Sequence, residues 1–321
     1  MVTSSCLFPV PLGKRLSRAP CAAERRIPRA SYCGFEVVCS ITGSSTEGVF
    51  HGARRVTKLN SNATPQQWRR LIREGGYDSP TSGLCGGFLQ CNLVILPQDA
   101  AEEFEAFCLA NPKPCPLLAK SPTPGDPSLP SLGEGIDVRS DLPRYRHWQA
   151  GKVVGELASI KHLWKDNDVA FALGCSFSFD HALEKAGIDV RHVSEGCNVP
   201  MYRTSITCEK AGRFWGDMVV SMRPMMAKDA IRAIEISTHY PEAHGAPVHL
   251  GDPTLIGIQD LTRPDFGSAV KIMPGEIPVF WACGVTPQIV LENAQLPVAF
   301  THAPGHMLIT DKTHEDLYEI G

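Results

Sequence analysis

The chain lacks an apolar run that approaches the length of a membrane span, and it lacks a strong excess of either charge. It carries 31 Lys and Arg residues against 34 Asp and Glu residues, a formal net charge of −3. We therefore predict no membrane partner and no nucleic-acid partner. Aromatic residues make up only 7% of the chain, but hydrophobic residues reach 43%, as in an ordinary globular protein. A length of 321 residues suits two domains or one large one.

Cysteine is abundant, but it lacks the spacing of a metal site or a disulfide framework. The twelve cysteines form no C-x-x-C pair and no regular ladder. We therefore predict that most are buried and reduced, in a reducing compartment.

The N-terminal residues differ in composition from the rest of the chain. Basic residues cluster there with one acid among them, Glu24; they are Lys14, Arg15, Arg18, Arg25, Arg26 and Arg29. This composition is typical of a mitochondrial transit peptide, which we predict over residues 1–40, with the mitochondrial matrix as destination. An untargeted extension is the alternative. Residues 41–62, rich in Ser, Thr, Gly and Asn, are predicted to be a linker.

Apolar spacing predicts alternating helices and strands after residue 63. Thr64 and Pro65 begin a helix that Gly75 and Gly76 end. The order β-α-β-β-α over residues 166–244 suits a two-layer α/β sandwich. Its last helix, residues 228–238, is predicted to turn Ile231, Ile234 and Ile236 inward. Short strands are then predicted at residues 255–258, 279–281, 298–300 and 307–309 and around Val248.

Two histidine-rich loops are the strongest chemical signal in the sequence. One contains His244, His249 and Asp252, and the other contains His302, His306 and Asp311. Imidazole titrates near neutral pH and also binds metals. Pro and Gly interrupt both loops, so the helical zinc motif does not apply, although loop residues can still gather around a metal. Acid–base chemistry, substrate binding, metal binding and a purely structural role all stay open.

Two cysteines occupy equivalent positions at strand ends. Cys175 follows one predicted strand and precedes Ser176 and a helix, and Cys283 follows another and precedes Thr286. A thiol that faces helix N-terminal amides can have a lowered pKa, and two such thiols can exchange an α-proton. The alternative is that both are small buried residues beneath tight turns.

Two arginines are candidate anchors for a substrate carboxylate, because guanidinium binds carboxylates in a bidentate manner. Arg223 lies just beyond a predicted strand. Arg139 lies between Asp137 and Asp141, so a local salt bridge is its alternative role.

A series of segments in order resembles the D-glutamate cyclase family, which includes bacterial hydro-lyases of unassigned substrate. The segments are NPKPCPLL, IDVRSDLPRY, GCSFSFDHAL, VPMYRTSI, VVSMRP, HGAPVHLGDP, IGIQDL, PVFWACGVTPQ and THAPGHMLITD. The resemblance runs from about Thr64 to Asp311. One departure is Asp180, where the family usually has Glu. Animal members are mitochondrial and usually carry a second, C-terminal domain, so this chain resembles a short form.

The resemblance implies an α/β fold in which a three-layer α/β/α domain is joined to a second, smaller two-layer α/β sandwich domain. We place the first at residues 63–165 and 245–321 and the second at residues 166–244. It also implies a lyase that converts D-glutamate to 5-oxo-D-proline and water, with no cofactor and no metal.

For that reaction, one set of residues is predicted to be catalytic: His244, His249, His302, Cys175, Cys283 and Asp252. Another set is predicted to bind substrate: Arg223, Arg139, Ser176, Thr286, His306 and Asp311. Backbone amides at 175–176 or 284–285 are candidates for an oxyanion site. Two alternatives are a racemase or epimerase that uses Cys175 and Cys283, and a non-catalytic domain that binds an amino acid or hydroxy acid. The sequence leaves open whether the chain forms a homo-oligomer.

Overall fold

A computed structural model of the chain describes residues 63–81 and 83–318, and it is a mixed α/β structure with antiparallel sheets. The predicted transit peptide at 1–40 and linker at 41–62 lie outside the described residues. Those that are described belong to one compact unit. Within them, no helix is both long enough and apolar enough to cross a bilayer.

The described helices span Pro65–Arg73 (α1), Gln98–Ala110 (α2), Phe177–Lys185 (α3), Arg191–Ser194 (α4), Ala227–Thr238 (α5) and Thr286–Ala294 (α6). Helices α1 and α5 agree with the predicted bounds, whereas α4 and α6 were not predicted. Helix α1 begins with the predicted cap: the Thr64 hydroxyl accepts from the Gln67 amide, and the Gln67 side chain accepts from the Thr64 amide. This reciprocal pair satisfies two amides that a helix end otherwise leaves without partners.

The strands form a seven-stranded sheet and a four-stranded sheet. The larger sheet has the order β2-β5-β1-β10-β3-β4, and β11 also pairs with β1. Its strands are Phe88–Pro97 (β1), Leu117–Lys120 (β2), Tyr145–Gln149 (β3), Lys152–Leu157 (β4), Asp168–Leu173 (β5), Ala299–His302 (β10) and Leu308–Thr313 (β11). The smaller sheet has the order β6-β7-β9-β8. Its strands are Met201–Thr207 (β6), Asp217–Met226 (β7), His249–Leu250 (β8) and Glu276–Ala282 (β9).

Strand β1 is central because both of its faces are buried. Leu93 and Ile95 face a core that also holds residues of α3, α5, β7 and β9. Val94 and Leu96 face a second core, which holds residues of α2, β7, β9 and α6. Side chains alternate along a strand, so one strand contributes to two cores. Each core contains residues from both sheets, which fixes the ends of β5 and β9 close together.

Two details of the predicted elements are wrong. Ile231 of α5 is exposed, and the helix instead buries Ala230, Ala233 and Ser237. Ile236 does pack, partly buried, against the core that holds Ala230 and Ala233, so the prediction is wrong for Ile231 only. The predicted strand at residues 255–258 is largely a 3-10 turn, Pro253–Ile256, which the Asp252 side chain caps.

The two sheets do not follow the predicted domain boundaries. Strand β5 falls within the predicted smaller domain, but it lies between β2 and β1 in the seven-stranded sheet. Strands β8 and β9 fall within the predicted larger domain, but they complete the four-stranded sheet. The structure is of the predicted α/β class. Sheet membership does not by itself define domains, and the division into a three-layer and a two-layer domain stays a prediction.

Candidate active site

Two strand–turn–helix units meet at the ends of β5 and β9. In the first, β5 passes through Gly174 and Cys175 into α3; in the second, β9 passes through Cys283 and Gly284 into α6. Both glycines are required by close contacts. A Cβ on Gly174 would collide with the Glu242 carbonyl, and one on Gly284 would collide with the Asn92 side chain. The turns therefore pack directly against the loop before His244 and against β1.

A small inner pocket lies between these turns, with a volume of about 40 Å³. The side chains that can do chemistry there are Asn92, Cys175, Ser176, His244, Cys283 and His302. A larger outer pocket of about 400 Å³ shares Phe177, Asn198, Pro304 and Gly305 with it. The inner pocket has room for a few non-hydrogen atoms, because a cavity of roughly 10–15 Å³ in this measure already holds one water.

His244 is held with a defined proton position. Its Nδ1 lies 2.6 Å from the Lys113 carbonyl oxygen, which can only accept, so Nδ1 carries the proton and Nε2 is bare. Burial, assisted by the charge of Arg223, lowers the pKa of His244 to about 4. Its backbone is left-handed, with φ of 80°, which is uncommon for a residue other than glycine. The ring is therefore neutral at pH 7, with a bare nitrogen in a confined site.

His302 has the opposite proton position. It ends β10, and its Nδ1 lies 3.2 Å from the Leu93 amide nitrogen and 3.4 Å from the Leu93 carbonyl oxygen. The amide contact is the shorter one, so we assign Nδ1 as an acceptor and place the proton on Nε2. Burial lowers the pKa of His302 to about 4, and the charge of Arg146 acts in the same direction. This ring is also neutral, but it presents an N–H donor.

Cys175 and Cys283 line the same pocket and are both buried. Burial raises the pKa of Cys175 to about 12, and the nearby Cys283 adds to the rise. Burial likewise raises the pKa of Cys283 to about 11. The amides of Phe177 and Val285 oppose these rises, as expected at helix starts, but burial dominates. Both thiols are therefore protonated at neutral pH.

Arg223 lies beneath the pocket rather than at its surface. Its Nε and Nη2 donate to the two carboxylate oxygens of Asp180, each at 2.6 Å, and Nη1 donates to the Ser221 hydroxyl at 2.9 Å. Nη2 also donates to the Ser176 hydroxyl at 3.1 Å. This guanidinium is already bidentate with a carboxylate of the protein, so the geometry does not favour it as a substrate anchor.

Several other predicted site residues lie outside the inner pocket and have structural partners. The Asp252 carboxylate accepts from the amide and hydroxyl of Thr254, and its carbonyl lies 2.8 Å from His249 Nε2. Arg139 forms the local salt bridge to Asp137 that was its alternative. Asp311 pairs with Arg69 at 2.8 Å.

Two further predicted binding residues also have partners within the fold. His306 Nδ1 lies 3.0 Å from the Pro304 carbonyl. The buried Thr286 hydroxyl accepts from the Val219 amide at 3.0 Å and donates to the Cys283 carbonyl at 2.8 Å. Both side chains therefore hold turns that border the inner pocket.

Asn92 is a residue of the pocket that the sequence analysis missed. It lies on the buried strand β1 and donates from Nδ2 to the Gly174 carbonyl at 2.7 Å. The signal was an amide side chain directly before the apolar run Leu93–Leu96, in a strand that also contains Gln90. Buried amides cost free energy unless they have partners, so a polar residue in such a strand indicates either a structural bond or a site. Here both apply.

The polar groups do not form a metal cage. Among the described residues, no three His, Cys, Asp or Glu side chains are arranged to hold a metal ion. All eight cysteines within this part of the chain are free thiols, and seven of them are buried, as predicted.

Taken together, the structure is a mixed α/β protein with a small pocket lined by hydrogen-bonding side chains. A family model described as D-glutamate cyclase matches residues 169–311, which include all the His and Cys residues of the pocket.

Three bacterial relatives carry the name "Putative hydro-lyase". The Bordetella petrii protein is 57% identical over 256 residues, covering 80% of this chain and 97% of that protein. The Verminephrobacter eiseniae protein is 58% identical over 255 residues, with 79% and 93% covered. The Paraburkholderia phymatum protein is 54% identical over 254 residues, with 79% and 98% covered. The chain therefore belongs to the D-glutamate cyclase family.

Proposed function

We propose that the chain is a hydro-lyase that converts D-glutamate to 5-oxo-D-proline and water. Family membership and the hydro-lyase names of the relatives support the reaction class. The observation that carries the proposal is that His244 and His302 line one pocket as buried, neutral rings. From their main-chain contacts we assign them opposite proton positions. A bare nitrogen can take a proton from an amine, and an N–H can bind a developing oxyanion.

The reaction requires two proton movements from nitrogen to oxygen. The α-nitrogen of D-glutamate forms a bond to the side-chain carboxyl carbon, and one C–O bond of that carboxyl breaks. The ammonium loses two protons in total, and the departing oxygen gains both and leaves as water. In the proposed mechanism His244 Nε2 takes a proton from nitrogen and returns it to the leaving oxygen. His302 Nε2–H stays protonated and stabilises the tetrahedral oxyanion.

We propose that the reacting carboxyl group enters the inner pocket and that the rest of the substrate lies in the outer one. A volume of about 40 Å³ holds a carboxyl group but not a whole amino acid, whereas the adjoining 400 Å³ holds the remainder. The starts of α3 and α6 border the inner pocket through Ser176 and Val285. Amides at helix starts favour bound anions, so they supply positive potential where the oxyanion forms. Asn92 lies on the same wall.

The direct test is to incubate the purified chain with D-glutamate and to quantify 5-oxoproline by NMR against a no-enzyme control. L-glutamate serves as the matched control for stereochemistry. We expect 5-oxoproline from D-glutamate, with the α-hydrogen retained when the reaction is run in deuterated water. Tight binding of D-glutamate without turnover would reject the proposal in favour of a non-catalytic binding domain.

Racemisation or epimerisation of a small amino acid is the second candidate, and it is favoured by the placement of Cys175 and Cys283 on one pocket. Two thiols that flank an α-carbon can remove a proton on one side and return one on the other. Their raised pKa values count against this role, because a thiolate is needed as the base. Deuterium at the α-carbon of recovered substrate would establish it and would reject simple cyclisation.

We also propose delivery to mitochondria, on the composition of residues 1–40 alone. The relatives compared here are bacterial and supply no support for it. Expression of the chain with a C-terminal fluorescent tag tests the idea: mitochondrial fluorescence that is lost when residues 1–40 are deleted is the expected result.

A further inference from the structure

Asn92 is a side chain of the inner pocket with a hydrogen-bonding atom that the fold does not use. It lies near the middle of β1 and is only 5% exposed. Its Nδ2 donates to the Gly174 carbonyl at 2.7 Å. Because a carbonyl can only accept, the orientation of the carboxamide is fixed, and Oδ1 cannot exchange places with Nδ2. Oδ1 is therefore an acceptor in a defined position.

The Oδ1 atom of Asn92 is open to the inner pocket. It has no hydrogen-bond partner among the described residues. The side-chain atoms of this part of the chain that lack a partner and are also fully enclosed include Gln90 Oε1, two residues earlier, but not Asn92 Oδ1. Oδ1 therefore keeps accessible surface. The backbone of Asn92 pairs with Leu173 of β5, so the side chain is the part of Asn92 that lines the pocket.

His244 brings a second acceptor of the same kind to this pocket. With its proton on Nδ1, its Nε2 is bare, and within residues 63–81 and 83–318 that atom also has no partner and is not fully enclosed. A cavity of about 40 Å³ holds only a few non-hydrogen atoms, so one small group can contact both acceptors. A carboxylate oxygen only accepts and satisfies neither of them, whereas an ammonium group has three N–H donors.

Ring closure brings the nitrogen of the substrate to the inner pocket. The α-nitrogen attacks the side-chain carboxyl carbon from a distance of roughly 3–3.5 Å, so it lies directly beside the carboxyl group that enters the pocket. The nitrogen therefore lies within reach of the polar atoms that line the same small cavity.

From these observations we infer that Asn92 Oδ1 accepts a hydrogen bond from the α-ammonium group, and that Asn92 thereby selects an amino dicarboxylate over a dicarboxylate without the amine. The identity of the substrate rests on the proposed function. After His244 has taken one proton, the bond to Oδ1 holds the amine by another N–H and leaves its lone pair free to attack the carboxyl carbon. Asn92 is thus a substrate-binding residue that orients the nucleophile.

D-glutamate and glutarate form a matched pair of probes, because both are five-carbon dicarboxylates and only D-glutamate carries an amine. Calorimetric titration of the full chain with each measures both affinities, and NMR of the solution afterwards quantifies any 5-oxoproline. If 5-oxoproline forms, KM for D-glutamate and the inhibition constant of glutarate replace the two titrations. We expect wild type to prefer D-glutamate at least tenfold, because a hydrogen bond to a charged donor is lost with glutarate. A smaller preference would overturn the inference.

Asn92→Leu and Asn92→Asp separate the acceptor from the structural hydrogen bond. Both remove the amide that donates to the Gly174 carbonyl, but only Asn92→Asp keeps an oxygen acceptor on the side chain. Burial favours the protonated form of a carboxyl group, which can also donate to Gly174. We expect Asn92→Leu to reduce the preference for D-glutamate below threefold and Asn92→Asp to keep it at tenfold or more. Damage to the fold alone weakens both ligands alike and leaves their ratio unchanged.

The variants distinguish this inference from the proposed cyclisation. A preference of threefold or more in Asn92→Leu, or a preference below tenfold in Asn92→Asp, would overturn the role of Asn92 whether or not 5-oxoproline forms. The expected pattern of affinities without 5-oxoproline would support amine binding by Asn92 and reject the cyclisation. If Asn92→Leu does not fold, wild type and Asn92→Asp still test the inference.

Discussion

The two histidine-rich loops have similar compositions but different structures. His244 lies in a left-handed turn that packs over Gly174, whereas His302 lies at the end of a central strand. Each loop contributes its first histidine to the inner pocket. The second histidine of each, His249 or His306, contacts a carbonyl of its own loop. For His244 and His302, the main-chain partner determines which ring nitrogen carries the proton. The position of the proton in turn determines whether the ring can act as a base or as a donor.

The largest expected effect comes from removing the bare nitrogen of the first loop. His244→Ala should lower the rate of 5-oxoproline formation about a thousandfold, because the proposed proton carrier is lost. His249→Ala, in the same loop, is the matched control and should stay within about threefold of wild type, since its ring contacts the Asp252 carbonyl and Phe280 and does not line the inner pocket. Initial rates by NMR or chromatography measure both. Equal losses of rate in the two variants would contradict the assignment of the proton-transfer role to His244 rather than to His249.

A smaller loss is expected from the second loop. His302→Phe should lower kcat about a hundredfold while changing KM little, because an N–H that stabilises the oxyanion acts mainly in the transition state. His306→Phe is the matched control, with an expected change of no more than about threefold. A rise in KM at constant kcat for His302→Phe would instead assign this ring to ground-state binding.

Acid should destabilise the fold through the same two rings. Each pKa falls from 6.5 in the unfolded chain to about 4 in the folded protein, so the unfolded state binds more protons between these values. The stability contribution is complete above pH 6.5 and is lost as the pH falls towards 4. From pH 7 to pH 5, each ring should lower the free energy of unfolding by about 2 kcal/mol.

Urea unfolding of wild type and His302→Phe at the two pH values measures this contribution. The variant should lose about 2 kcal/mol less stability than wild type between pH 7 and pH 5. The comparison uses, for each protein, the change in unfolding free energy between pH 7 and pH 5, so it does not depend on how much the substitution changes stability at pH 7. An equal loss of stability in wild type and variant would show that burial does not keep His302 neutral.

The smallest expected effect concerns the thiols. Cys283→Ala should change cyclisation by no more than about threefold, because a thiol protonated at neutral pH supplies no base to the proposed mechanism. Cys175→Ala provides the same comparison on the α3 side. A loss of a hundredfold or more in both variants, with deuterium entering the α-carbon, would establish the racemase alternative.

Local patterns in the sequence predicted much of the fold. Thr64 and Pro65 predicted the start of α1, and the predicted strands before Cys175 and at residues 279–281 correspond to β5 and β9. Strands with mixed polarity were missed, notably Tyr145–Gln149 and Lys152–Leu157, which lie towards one edge of the larger sheet. Edge strands need only one buried face or none, so their residues carry little apolar signal. Sheet membership depends on contacts far apart in sequence, so it could not be read from order alone.

The site was predicted in part for similar reasons. Composition drew attention to His244, His302, Cys175 and Cys283, which do line one pocket. It also indicated Arg223 as an anchor, although a buried arginine in a strand is commonly paired with a carboxylate of the protein itself. Asp180 is that carboxylate, and it lies 43 residues away in sequence. The carbonyls and amides that orient the imidazoles have no sequence signature.

The burial of Cys175 and Cys283 has a practical consequence for chemical labelling. Alkylating reagents attack the thiolate, and a thiol with a pKa of about 11 is ionised in only about one molecule in a thousand at pH 8. Iodoacetamide will therefore modify the half-exposed Cys197 long before it modifies either pocket thiol. Activity that is retained after brief alkylation therefore indicates that the pocket thiols are shielded. Because these thiols react slowly even without substrate, a protective effect of substrate is not visible in such an assay. Mass spectrometry of the two cysteine-containing peptides after denaturation gives the labelling state directly.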